Sequence, residues 1–179
     1  MTIFRTQRFL CDPIKQNQDQ VTLTGDTAHH LIRVLRLKIG DKVCVFDQSG
    51  CEWDAEIVAK KKRSVDVALL NCLRPDVESP VHITLLQSIS KNKRMDIVMQ
   101  KATELGVHSI VPMLSNNTVV RLNAKNTPRK MSHWKKITIS ASEQSGRVRL
   151  PEILEPRELN QNLLSEYKQE LGFFLDTTG

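Results

Sequence analysis

Glycine is scarce in this 179-residue chain, and its spacing excludes the common phosphate-binding loops. The seven glycines stand at positions 25, 40, 50, 106, 146, 172 and 179. No two of them are close enough for G-x-G-x-x-G or G-x-x-x-x-G-K, the loops whose glycines let a backbone approach a phosphate. Nucleotide binding through either loop is therefore excluded.

Long apolar runs and paired cysteines are also missing. No apolar stretch approaches the roughly 20 residues of a membrane-spanning helix. The N-terminal MTIFRTQRFL has no signal-peptide core followed by a small-residue cleavage site. We therefore expect a cytoplasmic protein with no membrane partner. Cys11, Cys44, Cys51 and Cys72 form no C-x-x-C pair, so we expect reduced, mostly buried thiols and no metal.

Acidic residues are few in the middle of the chain. Residues 81–150 hold 12 basic and 3 acidic side chains, a net charge of +9. Residues 1–80 hold 12 basic and 11 acidic side chains, and residues 151–179 hold 2 basic and 6 acidic ones. Basic charge focused in one segment is typical of proteins that bind RNA or DNA. A solvated, mixed-sign protein surface is the alternative interpretation.

The first part of the chain predicts a small β-barrel. Strand patterns occur in RFLC, QVTLT, DKVCVFD, CEWDAEIVA and SVDVALLNCL. The turn sequence DQSG after Phe46 predicts a hairpin. One helix interrupts the strands, with Asp26 or Thr27 as its cap and its end at Gly40. Many short strands with one helix predict a barrel over residues 1–74.

Strands and helices alternate beyond a proline-containing linker at 75–79. VHITLLQSI predicts a strand buried on both faces, and a helix follows up to Gly106. HSIVPML predicts the next strand, and a long helix then runs from a Thr127 cap, with Pro128 at its first position, to Gly146. RELNQNLLSEYKQE and LGFFLDTTG predict a third helix and a third strand. This alternation predicts a parallel α/β domain over residues 80–179.

Two basic clusters are candidates for phosphate contacts. His30 and Arg33, with Arg36 beside them, lie on the barrel's helix, whose other stripe, containing Leu31 and Val34, is expected to face the barrel. Lys91, Lys93 and Arg94 lie between a buried strand and a helix, at the sheet edge where ligands of parallel α/β proteins bind. An ordinary amphipathic helix and a solubilising surface remain the alternatives.

The stretch ASEQSGR, residues 141–147, combines chemically active side chains at a helix end. Helical spacing places Gln144 on the stripe of Trp134 and Ala141, which is expected to face the core and to require a polar partner. Arg147 follows the helix end, where a cation is favoured, but Glu143 lies where a carboxylate is disfavoured. A functional site and a structural ion pair both remain open.

These segments together resemble a known family. HHLIRVLRLKIGD, ISKNKRMDIVMQKATELGV, VVRL and WKKITISASEQSGRVRLPEI occur in the same order in RsmE-type small-subunit ribosomal RNA methyltransferases. The resemblance covers nearly the whole chain and implies the fold class: a PUA-like β-barrel followed by a partial SPOUT-type parallel α/β domain. It also implies methyl transfer from S-adenosylmethionine to N3 of a uridine in 16S rRNA, by a homodimer joined through the α/β domains.

The resemblance and the residue pattern together give a hypothesis for the site. Arg147 would stabilise the negative charge that develops on uracil, Glu143 would accept the N3 proton or orient Arg147, and Gln144 would bind a uracil carbonyl. The expected phosphate contacts are His30, Arg33, Arg36, Lys91, Lys93, Arg94 and Arg121.

One part of the family pattern does not occur in this sequence. The GPEGG loop and the LGPRILR-type segment, which in the family form most of the cofactor pocket, are missing. The cofactor-binding residues are therefore expected mainly beyond Gly179. A non-catalytic RNA-binding fragment or module is the first alternative. A small-molecule α/β enzyme is the second, which the basic middle segment makes less attractive.

Overall fold

A computed structural model describes residues 7–75, 77–91, 93–115, 122–168 and 171–174. The N-terminal elements are β1 (Arg8–Leu10), β2 (Gln20–Thr24), α1 (Gly25–His29) with a following π-helical turn (His30–Val34), β3 (Lys42–Phe46), β4 (Glu52–Lys60) and β5 (Ser64–Leu73). The later elements are β6 (Thr84–Ser88), α2 (Lys93–Glu104), β7 (Ser109–Leu114), α3 (Thr127–Ser145), β8 (Glu152–Ile153), β9 (Arg157–Glu158) and α4 (Gln161–Glu166).

The N-terminal strands form one sheet in the order β1-β3-β4-β5-β2. β1 runs parallel to β3, and the other neighbours are antiparallel. Alternate side chains such as Val45, Ile57 and Val67 are fully buried in one core, to which Leu31 also belongs. The sheet therefore curls around a single apolar core, which confirms the predicted PUA-like fold class.

The predicted β3–β4 hairpin is also confirmed. Phe46 pairs with Glu52, and the turn between them contains two residues with positive φ, Gln48 at 69° and Gly50 at 92°. Asp47 is buried in this turn, and its carboxylate accepts hydrogen bonds from the backbone N–H groups of Ile14 and Ser49 at 2.9 and 3.0 Å. The turn is therefore held firmly against the N-terminal segment.

The helix of the N-terminal half is shorter than predicted. It begins at Gly25 after the cap residue Thr24 and its helical turns end at Val34, because Arg36 adopts a φ of 55° that no right-handed helix accommodates. The predicted apolar stripe is only partly correct, since Leu31 is buried as expected but Val34 is 62% exposed, while Leu37, which helical spacing places on the other stripe, packs against the core. The π-helical turn causes this shift, because it contains more residues per turn than an α-helix.

A parallel sheet forms the second half, with β7 between β6 on one side and β8 and β9 on the other. Helices α2 and α3 cover it through Met95, Met99 and Trp134, which surround Ile110 of β7. The two predicted strands and both long helices are confirmed, although the cap of α3 is Asn126 and not Thr127. The prediction that this strand is buried on both faces is wrong, because β6 is an edge strand of the described sheet and is half-buried at every position.

The C-terminal prediction is only partly correct. The third helix spans Gln161–Glu166 alone, because Arg157 and Glu158 pair with β7 and Asn160 caps the helix by accepting the Leu163 N–H at 2.9 Å. Residues 171–174 form no strand, and the rest of the predicted strand lies outside the described residues. The predicted division into 1–74, linker 75–79 and 80–179 stays a prediction.

Neither a membrane-spanning helix nor a metal cluster occurs in the described parts of the chain. No helix there is long and apolar enough to cross a bilayer, and no three metal-ligating side chains come together. The four cysteines are free thiols, of which Cys44 and Cys51 are buried and Cys72 is exposed. Burial raises the pKa of both Cys11 and Cys44 to about 12, so these two thiols are unreactive at neutral pH.

Candidate active site at the junction of the two sheets

The C-terminal end of α3 is where the two sheets meet. Arg8 of β1 donates from Nη1 to the Ser142 carbonyl at 3.0 Å and from Nη2 to the Arg147 carbonyl at 3.1 Å. Its Nε and Nη2 also donate to the carboxylate of Glu52, and its guanidinium lies 4.8 Å from the centre of the Phe46 ring. A cation from the first sheet thereby satisfies carbonyls at the negative end of the helix dipole.

Glu143 adds a second contact between α3 and the first sheet. Its Oε1 accepts the backbone N–H of Leu10 at 3.2 Å. Burial raises the pKa of this carboxyl above its ordinary value, and the Leu10 N–H and the nearby Arg8 oppose that shift only in part. Glu143 is therefore a carboxyl whose ionisation is disfavoured by its position between the two sheets.

Arg147 points away from Glu143, into the α/β half. Its Nε and Nη2 donate to Oε2 of Glu78 at 3.0 and 2.8 Å, and its Nη1 donates to the carbonyls of Thr103 and Val107 at 3.1 and 2.9 Å. The side chain is 8% exposed. Four of its five N–H donors are thus bound to protein acceptors, which leaves one for any other partner.

Glu78 completes this cluster from the predicted linker. Its second oxygen, Oε1, accepts the backbone N–H groups of Val148 and Arg149 at 2.9 and 3.0 Å. Burial opposes the ionisation of Glu78, but the Arg147 guanidinium and the two N–H groups outweigh it and lower its pKa. The segment after α3 is therefore fixed to the linker by an ionised, hydrogen-bonded carboxylate.

The structure does not bring Glu143, Gln144 and Arg147 together as one substrate-facing cluster. The prediction that Gln144 lies on the core-facing stripe is wrong, because it is exposed. The buried stripe of α3 runs through Trp134, Thr138, Ala141 and Ser142. At about 100° per residue, Gln144 lies roughly 80° around the helix from Trp134.

The predicted phosphate contacts lie on two separate surfaces. His30, Arg33 and Arg36 are exposed on the helix and loop of the first sheet, and Lys91, Lys93 and Arg94 are exposed after the carboxyl end of β6. Arg121 lies outside the described residues. An exposed salt bridge of 2.6 Å between Lys136 of α3 and Asp26 of α1 links the first surface to the α/β half.

A cleft of about 440 Å³ opens between the two halves of the molecule. Its walls are the β3–β4 turn, one face of α3 and the segment that enters β8. They consist of Gln48, Met131, Ser132, Lys135, Thr138, Leu150, Pro151, Glu152 and Ile153. Sequence reasoning missed this site, because its walls come from three segments that meet only in the fold, although the DQSG turn and the WKKITISASEQSGRVRLPEI stretch contain most of its residues. A smaller cavity of about 130 Å³ lies beside Glu78 and Arg147 and includes the stacked rings of His82 and His108.

The fold and these surfaces define a class of protein: a PUA-like sheet fixed to a parallel α/β sheet with a basic exterior. A model of the RNA methyltransferase domain matches residues 77–179, and a model of the RNA methyltransferase PUA domain matches residues 23–70. The chain therefore belongs to the family of RNA methyltransferases that includes the ribosomal RNA small subunit methyltransferases E.

Curated relatives and solved structures agree with this assignment. The chain is 28% identical over 160 residues to ribosomal RNA small subunit methyltransferase E of Bacillus subtilis, an alignment that covers 88% of this chain and 62% of the relative. It is 34% identical to the enzyme of the same name from Buchnera aphidicola subsp. Acyrthosiphon pisum, covering 75% of this chain and 53% of that one. The chain thus spans between about half and two thirds of the length of these relatives.

Two similar structures were solved with S-adenosylmethionine bound. A methyltransferase from Legionella pneumophila superposes with a TM-score of 0.84 at 34% identity, covering 93% of this chain and 67% of that chain. Ribosomal RNA small subunit methyltransferase E from Neisseria gonorrhoeae superposes with a TM-score of 0.81 at 34% identity, covering 86% of this chain and 63% of that chain.

The described cavities do not fit this cofactor. Ligands of open parallel sheets bind outside the carboxyl ends of the strands, which here are Ser88 of β6 and Leu114 of β7. Both cavities lie at the opposite edge, since their walls include residues 150–153 at the start of β8 and residues 81, 82 and 108 before β6 and β7. Neither cavity therefore lies where the cofactor of such a sheet is expected to bind.

Proposed function

We propose that the chain serves the transfer of a methyl group from S-adenosylmethionine to N3 of a uridine in the 16S rRNA of the small ribosomal subunit, in the cytoplasm. One observation carries this proposal: a PUA-like sheet is fixed by buried contacts to an α/β half that matches the RNA methyltransferase domain. The relatives named small subunit methyltransferases and their cofactor-bound structures support it.

In this function the exposed cations hold the RNA. Lys91, Lys93 and Arg94 contact phosphates beside the carboxyl edge of the sheet, and His30 and Arg33 contact phosphates on the first sheet. The support is their exposure and the basic charge of residues 81–150. Arg36 and Arg121 belong to the same proposal.

Loss of the N3 proton puts negative charge on the uracil ring, which nearby cations stabilise. Arg147 was predicted to supply that charge, but its bonds to Glu78 and two carbonyls favour a positioning role. We propose that Arg147 and Glu143 fix the end of α3 relative to the two sheets. The exposed Gln144 is the member of the motif that touches RNA.

The test uses the 179-residue chain with small ribosomal subunits that lack the modification. RNA binding is measured by filter retention, and N3-methyluridine is measured by mass spectrometry after incubation with S-adenosylmethionine. Retention of the RNA is the expected result, and formation of N3-methyluridine separates the enzyme from a non-catalytic RNA-binding module. A chain that retains no ribosomal RNA contradicts the proposal.

A non-catalytic RNA-binding module is the second candidate function. It is favoured by one observation, the position of both cavities away from the cofactor edge of the sheet. Calorimetric titration with S-adenosylmethionine separates the two functions. RNA binding without any cofactor binding supports the second candidate, and binding of both supports the enzyme.

The homodimer belongs to the same proposal. Its support is the exposure of large apolar side chains in the α/β half, including Leu105 at 79%, Phe173 at 86% and Phe174 at 91%. Light scattering coupled to gel filtration is expected to give twice the mass of 20.4 kDa. A mass of one chain across the micromolar range contradicts this part of the proposal.

A further inference from the structure

We propose that the cleft between the two sheets binds one unpaired RNA nucleotide whose base carries an exocyclic amino group, in the same RNA as the nucleotide that is methylated. Gln48 and Glu152 bind the base edge, and Lys135 binds the phosphate. This inference rests on the proposed RNA substrate, and it adds a specificity site to it.

The size of the cleft suits a single nucleotide. Its volume of about 440 Å³ falls in the range of about 300–1,000 Å³ that is usual for small-molecule pockets. It is too small for a paired helix. Sequence-specific proteins bind RNA mostly through unpaired bases that are splayed out of their stacks, so the cleft matches the form in which RNA is read.

The walls combine an apolar surface with a few polar groups. Met131, Leu150 and Pro151 offer apolar faces to a base, while Gln48 and Glu152 offer acceptors. Carboxylates accept hydrogen bonds from the amino group of cytosine, and glutamine forms paired hydrogen bonds with adenine. A base with an amino group is therefore preferred over uracil, which has none.

Lys135 supplies the charge that a phosphate requires. It is exposed on the cleft side of α3 and forms no ion pair within the described residues. The neighbouring lysine, Lys136, is instead paired with Asp26 at 2.6 Å. Of these two adjacent lysines, Lys135 is thus the one that faces the cleft with its charge unmatched.

Gln48 is held in a backbone conformation that glutamine seldom adopts. Its φ of 69° lies in the left-handed region, which costs an L-residue free energy that glycine does not incur. The surrounding turn is fixed by the bonds of Asp47 to Ile14 and Ser49. It also approaches Arg149 so closely that a Cβ at Gly50 would lie 3.4 Å from Nη2. A strained residue held firmly at the mouth of a cleft indicates a use for its side chain.

The first test separates this use from stability. Gln48→Gly removes the backbone strain, so thermal stability is expected to rise or stay unchanged. The same variant removes the amide that binds the base. Asn17→Gly is the matched control, because Asn17 has a φ of 63° and does not line the cleft.

Fluorescence anisotropy is measured with single-stranded oligocytidine and oligouridine of equal length. The wild-type chain is expected to bind oligocytidine at least about fivefold more tightly, since a good base-edge contact is worth about 1 kcal/mol or more. Gln48→Gly is expected to reduce this preference, because only Glu152 then contacts the base edge, and Asn17→Gly is expected to keep it in full.

A second pair of variants closes the cleft without a change in charge. Ser132→Trp places an indole in the cleft and is expected to abolish the preference. Ser140→Trp places the same side chain on an exposed position of α3 outside the cleft and is expected to retain the preference.

Lys135→Gln tests the phosphate contact. It is expected to weaken the binding of both oligonucleotides and to reduce the salt dependence of binding by about one released ion.

The outcomes distinguish the two proposals. If the wild-type chain binds RNA but Gln48→Gly and Ser132→Trp bind both oligonucleotides as it does, the cleft is not a nucleotide site and this inference is overturned. If the wild-type chain binds neither oligonucleotide nor small-subunit RNA, the proposed function itself is overturned.

Discussion

Arg147 stabilises the fold through an ion pair with Glu78 and two further hydrogen bonds to backbone carbonyls. Arg147→Ala leaves Glu78 partly buried without its cation, and removal of one partner of such a pair costs about 3 kcal/mol. We expect this loss in the free energy of unfolding, measured from the urea midpoint at an unchanged m-value.

Arg149→Ala is the matched control for this loss, because only the backbone N–H of Arg149 binds Glu78. Its midpoint is expected to stay close to that of the wild type. If Arg147→Ala unfolds at the wild-type urea concentration, its guanidinium does not hold the junction and the predicted role in chemistry regains support.

Glu143 makes the stability of the chain dependent on pH. Its folded pKa is raised above the ordinary value of 4.5 by burial, so the stability it contributes is present in full below that value and is lost as pH rises through the folded pKa. The amide side chain of the variant Glu143→Gln keeps an acceptor for the Leu10 N–H but cannot ionise. The wild type is therefore expected to lose stability relative to Glu143→Gln as pH rises from 4 to 8.

Urea unfolding of both chains at several pH values measures this difference. Glu78 acts in the opposite direction, because its lowered pKa removes stability only as pH falls, but it is common to both chains and cancels in the comparison. A difference that stays constant between pH 4 and pH 8 would show that the pKa of Glu143 does not change on folding.

At the level of elements, the sequence predicted those whose pattern is local. β2 and β4 alternate more and less buried side chains, β3 and β5 contain short continuous buried runs, and α2 and α3 carry apolar stripes and are followed by glycines. The errors fall where a distant partner decides the structure. Arg157 and Glu158 read as helix, but β7 provides a strand to pair with, and this contact leaves no local signal.

Gly146 is expected to stabilise the end of α3. Gly146 follows the helix with a φ of 89°, a conformation that costs an L-residue about 1–2 kcal/mol. Gly146→Ala is expected to lower the free energy of unfolding, measured in urea, by that amount. Hydrogen exchange at the last turn of α3 is expected to become faster. Gly172→Ala is the control, since Gly172 has no positive φ and open space around its Cβ position. Equal midpoints for the two variants would refute the role of the cap.

For the whole molecule, the candidate site could be located from the sequence but not assembled from it. ASEQSGR was singled out because its charges are unusual for a helix end, and it does lie at the junction of the two sheets. Its partners Arg8 and Glu78 are separated from it by 134 and 69 positions, so only the fold reveals them. The same holds for the cleft, whose walls meet only when the two sheets are joined.

The contacts of Arg8 predict that the two sheets unfold together. Arg8 joins β1 to two carbonyls at the end of α3 and to Glu52, and it is 10% exposed. Arg8→Gln removes the forked donor and leaves those carbonyls without partners, so the contact between the sheets weakens more than either core. Scanning calorimetry is expected to show one transition for the wild type and two for Arg8→Gln.

Lys136→Gln provides the comparison that isolates the buried contact. It removes a second charged link between the halves, but Lys136 and Asp26 are both exposed, and exposed pairs contribute little to stability. This variant is therefore expected to keep a single transition at nearly the wild-type temperature. Two transitions in Lys136→Gln, or one in Arg8→Gln, would mean that the buried bonds of Arg8 are not what couples the sheets. The coupling would then lie in the segment around Glu78, through which the chain passes from one sheet to the other.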